Sequence, residues 1–150
     1  MSQEKCFPKS DVSQKNAKYR VSGNSMYPTL ISGDVVLACK KNAYCLGDIL
    51  VFKYKNEDEL LIHRLLKKDR LYYCKGDNAF AMEAVTYQQI IGKAFFVNKS
   101  VLSTWPTWKI ALSFLVNRTF MMCSYDVEKT RQTEVYRYYE EHVINRTEPF

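Results

Sequence analysis

Three kinds of side chain in this sequence could do chemistry together. Ser25 lies in VSGNSMYPTLISGDVVLA (21–38), with Gly23 and Asn24 before it and Met26 and Pro28 after it. A serine hydroxyl is a poor nucleophile at neutral pH and needs a base in hydrogen-bond reach, with donors aimed at the developing oxyanion. Gly23 permits backbone shapes that strain other residues, and Pro28 fixes φ and cannot continue a ladder. The serine is thus held on a rigid turn, its own N–H a candidate oxyanion donor. The chain has two histidines. His63, mid-strand in LLIHRLL, is the candidate general base; standing alone it would read as structural. His142, among Tyr, Glu and Arg, reads as structural. In KGDNAFAMEAV (75–85), either Asp77 or Glu83 could reach the imidazole and orient it, as the acid of a Ser-His-acid triad does.

Strands must position these groups. Between Tyr19 and about residue 98 the pattern is of short strands separated by turn signals. DVVLACK (34–40) and GDILVFKYK (47–55) are two of them. ELLIHRLLK (59–67) and RLYYCKG (70–76) form a hairpin around Lys68 and Asp69. QIIGKAFFVNK (89–99) is the last, with Gly92 marking a bulge or a close approach. Short connections between five strands predict a mainly β fold: a coiled, mostly antiparallel sheet or a partly open barrel. Residues 1–18 read as a flexible arm, 19–98 as the β-domain and 99–150 as a helical extension packed on it or capping it. DVEKTRQTEVYRYYEEHVI (126–144) has Val135, Tyr139, His142 and Val143 at the spacing of an amphipathic helix.

Composition narrows the classes. With 150 residues, 47% hydrophobic and 25% charged, the chain suits one globular domain with a short appendage. The net charge of +6 comes from lysines scattered among acids; KKDR and YKNEDE read as solvated hairpin tips, and no nucleic-acid partner is expected. Cys6, Cys39, Cys45, Cys74 and Cys123 show no CxxC or zinc spacing, so no metal or cofactor is implied. Three sit in apolar, strand-like runs, and the set reads as reduced. There is no apolar signal segment, and IALSFLV (110–116) is far short of the ~20 residues of a spanning helix. The expected location is cytoplasmic or peripheral at a membrane. The 100–116 segment reads as core or a lid over the sheet, although Trp105 and Trp108, beside a lysine and an apolar run, also fit peripheral contact with a membrane.

GNSMYPTL followed by GD (23–34), GDILVF (47–52), IHRLL (62–66), KGDN (75–78) and IIGKAFF (90–96) occur in one order. In this the chain resembles the signal peptidase I and LexA-like serine peptidase superfamily over residues 19–98. The resemblance implies a coiled antiparallel β fold, Ser25 as nucleophile and His63 as base. His63 followed by Arg is similar to the Ser-His branch of archaeal, endoplasmic-reticulum and sporulation-type signal peptidases. Counting from Asp77, Glu83 falls where that branch carries its triad Asp, a departure of one methylene; Asp77 matches the other, structural acidic position. Gly23 stands where signal peptidases often carry a hydroxyl residue, so the resemblance implies an oxyanion hole of backbone N–H groups around Gly23 to Ser25. Asn24, Met26 and Pro28 complete the motif around the substrate carbonyl.

Resemblance to LexA-type repressors would imply an N-terminal helix-turn-helix and self-cleavage at an Ala-Gly or Cys-Gly bond; the eighteen leading residues are expected to be too few for the first, and neither dipeptide occurs in this sequence. The expected function is a serine endopeptidase, without a membrane anchor, cleaving a leader, signal or pro-segment of another protein. The alternative is a catalytically inactive peptidase-like domain that binds an apolar peptide or a membrane surface through residues 100–125.

Overall fold

A computed structural model describes residues 16–55 and 59–145. The alternating and continuous apolar runs form eight strands: β1 (Ala17–Arg20), β2 (Val35–Cys39), β3 (Ile49–Lys53), β4 (Leu60–Lys68), β5 (Tyr72–Lys75), β6 (Met82–Val85), β7 (Ile90–Val97) and β8 (Ser100–Val101). All pair antiparallel in the order β1-β2-β7-β3-β4-β5-β6, with β8 also on β7. Among the described residues the sheet is open, as β1 and β6 each pair on one side only. β3 is central, which is why its ILVF run is apolar without interruption and buried throughout. Leu50 and Phe52 join Leu65, Cys74, Val85 and Ile90 in one core cluster, while Ile49 joins Met26, Leu30, Val36 and Ala94 in a second.

The sheet extends beyond the five expected strands. Ala17 and Lys18, expected to end an N-terminal arm, begin β1; the rest of that arm, to residue 15, lies outside the described residues, as does 56–58 of the YKNEDE tip. β6 was expected only as chain following a turn. Met-Glu-Ala-Val has little intrinsic strand preference, and its pairing with β5 decides the conformation. At Gly92 both expectations hold. The β3–β7 register shifts beside it, and an added Cβ would lie 2.8 Å from the Cys39 carbonyl carbon of β2. Among the cysteines expected to be reduced, Cys74 and Cys123 are free thiols, whereas Cys45 is disulfide-bonded. Cys45 is part-exposed in the loop ahead of β3, where sulfur is open to oxidation.

Three helices follow: α1 (Thr107–Met122), α2 (Val127–Arg131) and α3 (Glu134–Tyr139), which runs into a π-helical turn at Glu140–Ile144. α1 ends in a Schellman arrangement. Ser124 N–H donates to Met121 O (3.1 Å) and Tyr125 N–H to Phe120 O (2.9 Å), with the Phe120 and Tyr125 rings in edge contact. The single helix expected over 126–144 is broken at Gln132–Thr133. Thr133 gives its hydroxyl proton to Thr130 O and accepts from Tyr136 N–H, starting a new helix. Tyr136, Tyr139, Val143 and Ile144 are then buried against Val116 of α1, while His142 is half-buried and stacks on Tyr138. No helix of the described residues is long and apolar enough to cross a membrane.

Because β2 backbone fills the space over Gly92, Gly92→Ala should lower the unfolding free energy by about 1–3 kcal/mol. A urea midpoint shifted down at unchanged slope would show it; an unchanged midpoint would contradict the packing described.

Candidate active site

Ser25 lies on a loop whose base is closed by Val21 N–H to Asp34 O and Gly33 N–H to Val21 O, both 2.8 Å. Gly23 and Gly33 have φ of +79° and +96°, a region glycine adopts without strain. Met26 and Leu30 plug the loop into the core, and Leu30 N–H bonds Met26 O at 2.9 Å. Ser25, one residue before this anchor, is turned to solvent. The Ser25 N–H makes no backbone hydrogen bond among the described residues.

Successive strand residues face opposite sides of a sheet, and β4 uses both. His63 shares the face of Leu65 and the Phe52 ring, whereas Arg64 faces the helices. The buried imidazole bridges two groups: Nε2 is 3.1 Å from Ser25 Oγ and Nδ1 is 2.8 Å from Glu83 Oε2. A carboxylate only accepts, so Nδ1 carries the proton and Nε2 is left to accept from the serine hydroxyl. Glu83 stands opposite Cys74 in the β5–β6 ladder, and Cys74 stands opposite Leu65 in β4, so the side chain reaches diagonally to His63. The Cys74 thiol pKa is pushed up by burial and by the Glu83 charge.

Of the two acids that could have reached the imidazole, the structure brings Glu83 to it and takes Asp77 elsewhere. Asp77 accepts from Arg64 Nε (2.9 Å), Arg64 Nη2 (2.9 Å) and Thr29 Oγ1 (2.6 Å). Arg64 Nη1 donates to Gly47 O (2.8 Å), and the Trp105 ring lies 3.9 Å from the guanidinium. The Tyr139 hydroxyl donates to the Asp77 carbonyl, tying α3 to the same turn. Asn24 and Pro28 stay on the loop surface, the Tyr27–Pro28 bond being cis. The Met26 side chain is buried and accepts a weak bond from Asp77 N–H at 3.4 Å, which holds the loop against the KGDN turn.

Sequence reasoning missed the parts that clamp the serine. An added Cβ at Gly76 would overlap the Ser25 carbonyl oxygen, so only glycine lets the two turns touch. Asn78 N–H donates to that carbonyl (2.8 Å) and Asn78 Nδ2 to Asn24 O (3.2 Å). KGDN was legible as a turn, but not as the seat of the serine loop. Beneath it Lys75 is fully buried; its ammonium donates to Gly76 O (3.1 Å) and Ser113 Oγ (2.9 Å) of α1 and lies 5.0 Å from the Tyr139 ring. Burial brings its pKa down from 10.5 to about 7, against the opposing pull of the Asp77 and Glu83 charges.

A family model described as Peptidase S24-like matches residues 2–95, a span that contains Ser25, His63, Asp77 and Glu83. No curated protein matches the chain.

Two predictions concern the buried charges. Asp77→Asn keeps the shape but strands the Arg64 charge, and should cost about 3–5 kcal/mol in a urea titration; a loss under about 1 kcal/mol would mean that Arg64 finds other partners. Lys75 in the folded chain releases its proton near pH 7, while the unfolded chain keeps it to about 10.5. Between those values the unfolded state binds more protons, so stability at this site rises with pH; below pH 7 both states are protonated and the full burial cost is present. Relative to Lys75→Met, the wild type should gain up to about 1.4 kcal/mol per pH unit above pH 7. A difference independent of pH would show that Lys75 keeps its proton.

Proposed function

The chain belongs to the Peptidase S24-like family, and from that premise we propose that it is a serine endopeptidase acting on another protein, with Ser25, His63 and Glu83 as its reacting set. The observation that carries this reading is the continuous relay from the exposed Ser25 hydroxyl through the buried His63 ring to the Glu83 carboxylate.

In this mechanism Ser25 Oγ attacks the scissile carbonyl carbon as its proton passes to His63 Nε2. Glu83 holds the ring with Nδ1–H toward itself and stabilises the imidazolium that forms. The Ser25 N–H and neighbouring loop N–H groups receive the oxyanion. Collapse of the tetrahedral intermediate breaks the C–N bond, with the Nε2 proton leaving on the amine. Water, deprotonated by His63, then releases the acyl group and restores the serine. The longer reach of Glu over Asp suits an acid placed two strands from the histidine strand. The substrate binds extended, as an added strand beside the Ser25 loop. By likeness to signal peptidases, it carries small residues before the cut within a leader, signal or pro-segment.

Intact-mass labelling with an active-serine acylating probe tests this. Wild type should take one adduct, and Ser25→Ala and His63→Ala none. Glu83→Gln, which disturbs the ring tautomer, should slow labelling by about 10⁴-fold. Absence of any adduct on the folded wild type, or an adduct persisting on Ser25→Ala, would overturn the proposal and favour a catalytically idle binding domain.

A further inference from the structure

α1 carries large apolar side chains on its exposed face as well as on its buried one. Its inward face carries Ile110, Val116 and Phe120, but also two buried polar residues: Ser113, which accepts from Lys75, and Asn117, whose amide donates to Phe80 O at 2.9 Å. Two polar side chains are thus spent inward, while the outward face carries large apolar residues on either side of the exposed Arg118. Trp108, Leu115 and Met122 fall at i, i+7 and i+14 on that face, exposed by 45%, 46% and 86%. Met121 beside them and Tyr125 just past the helix end are 45% and 65% exposed. Large apolar side chains gathered on the exposed face of a surface helix mark contact with a partner or a membrane.

We propose that this face of α1 docks the protein onto the surface of an anionic lipid bilayer, the helix lying in the interfacial plane. Charge selects this occupant. The sequence of α1, TWKIALSFLVNRTFMM, holds Lys109 and Arg118 and no acid. The long stems of both cations let the heads reach lipid phosphates while the apolar stripe sits deeper. Trp108 near one end and Tyr125 beyond the other suit the headgroup boundary, where amphipathic rings are favoured. Trp105 is not part of this contact, because its ring lies on Arg64. A second copy fits less well. Self-pairing would bring cations together without a counter-charge. Sixteen residues also span only about 24 Å, so a strip about 10 Å wide offers roughly 240 Å² per copy, well under the ~800 Å² per partner of stable interfaces.

The docking does not depend on the peptidase reading. If both hold, the Lys75–Ser113 bond ties the docked helix to the turn that seats Ser25, and peptide bonds close to the bilayer become the accessible substrates.

Flotation of the full chain with vesicles separates the outcomes. Wild type should bind phosphatidylcholine vesicles containing phosphatidylglycerol about 25-fold more tightly than phosphatidylcholine alone, at about fivefold per cation, and added salt should weaken the preference. Leu115→Glu with Met122→Glu, both on the exposed face, should reduce binding at least about tenfold at an unchanged melting temperature. Ser25→Ala should bind like wild type even though it takes no acyl probe, so failure of docking and failure of catalysis remain distinguishable. Binding to neither vesicle, equal binding by the glutamate variant, or a concentration-dependent dimer dissolved by those glutamates would each overturn the proposal.

Discussion

A bidentate ion pair with no access to water, Arg64 with Asp77, is the interaction on which the rest of the structure depends. Two charges taken out of water are stabilising only when their geometry is good and their remaining hydrogen-bonding capacity is met. Here it is met by parts of the chain that share no local sequence: Thr29 from the serine loop, Gly47 from the turn ahead of β3, and the Trp105 ring ahead of α1. No buried side-chain polar atom among the described residues lacks a partner. Satisfying one pair of charges therefore sets the positions of the serine loop, the KGDN turn and the helical layer together.

The serine, histidine and glutamate of the candidate site inherit that order through strand geometry. His63 and Arg64 are neighbours, so the pleat sends one to each face of the sheet. Arg64 fixes the register of β4 against the KGDN turn from behind, and His63 presents its ring in front. Gly76, by lacking a side chain, leaves the space that the Ser25 backbone occupies, and Asn78 secures it there. A hydroxyl exposed beside a buried imidazole results, with the loop anchored by Met26 and Leu30 instead of by the serine itself.

The helical layer extends the same pattern at a cost. Lys75 is buried near the pair, stabilised by Ser113, the Gly76 carbonyl and the Tyr139 ring, yet its burial opposes the charged form. Ser113 and Asn117 point inward, to Lys75 and the Phe80 carbonyl, and Trp108, Leu115 and Met122 are left on the outer face of α1 around Arg118. The inner polar network and the outer Trp-Leu-Met stripe are two consequences of one allocation of side chains along sixteen residues.

Much of this was legible in the sequence. Alternation and turn residues located β2, β3, β4, β5 and β7, and the placement of a serine between glycine and proline marked the loop that carries it. The order of the five boxes pointed to the family. These features are local, because strand periodicity, turn conformation and motif order are carried by neighbouring residues. Apart from the family resemblance, the choice between Asp77 and Glu83 was not local. It turned on β6, a strand of weak intrinsic preference formed only by pairing, and on a diagonal reach across two ladders. Nor could periodicity show that Thr133 would divide the last helix, that Trp105 would be spent on Arg64 while Trp108 stays exposed, or that Gly76 would lie under the Ser25 carbonyl. Each depends on which distant groups share a buried space, and that is settled only when the whole chain competes for the same partners and volume.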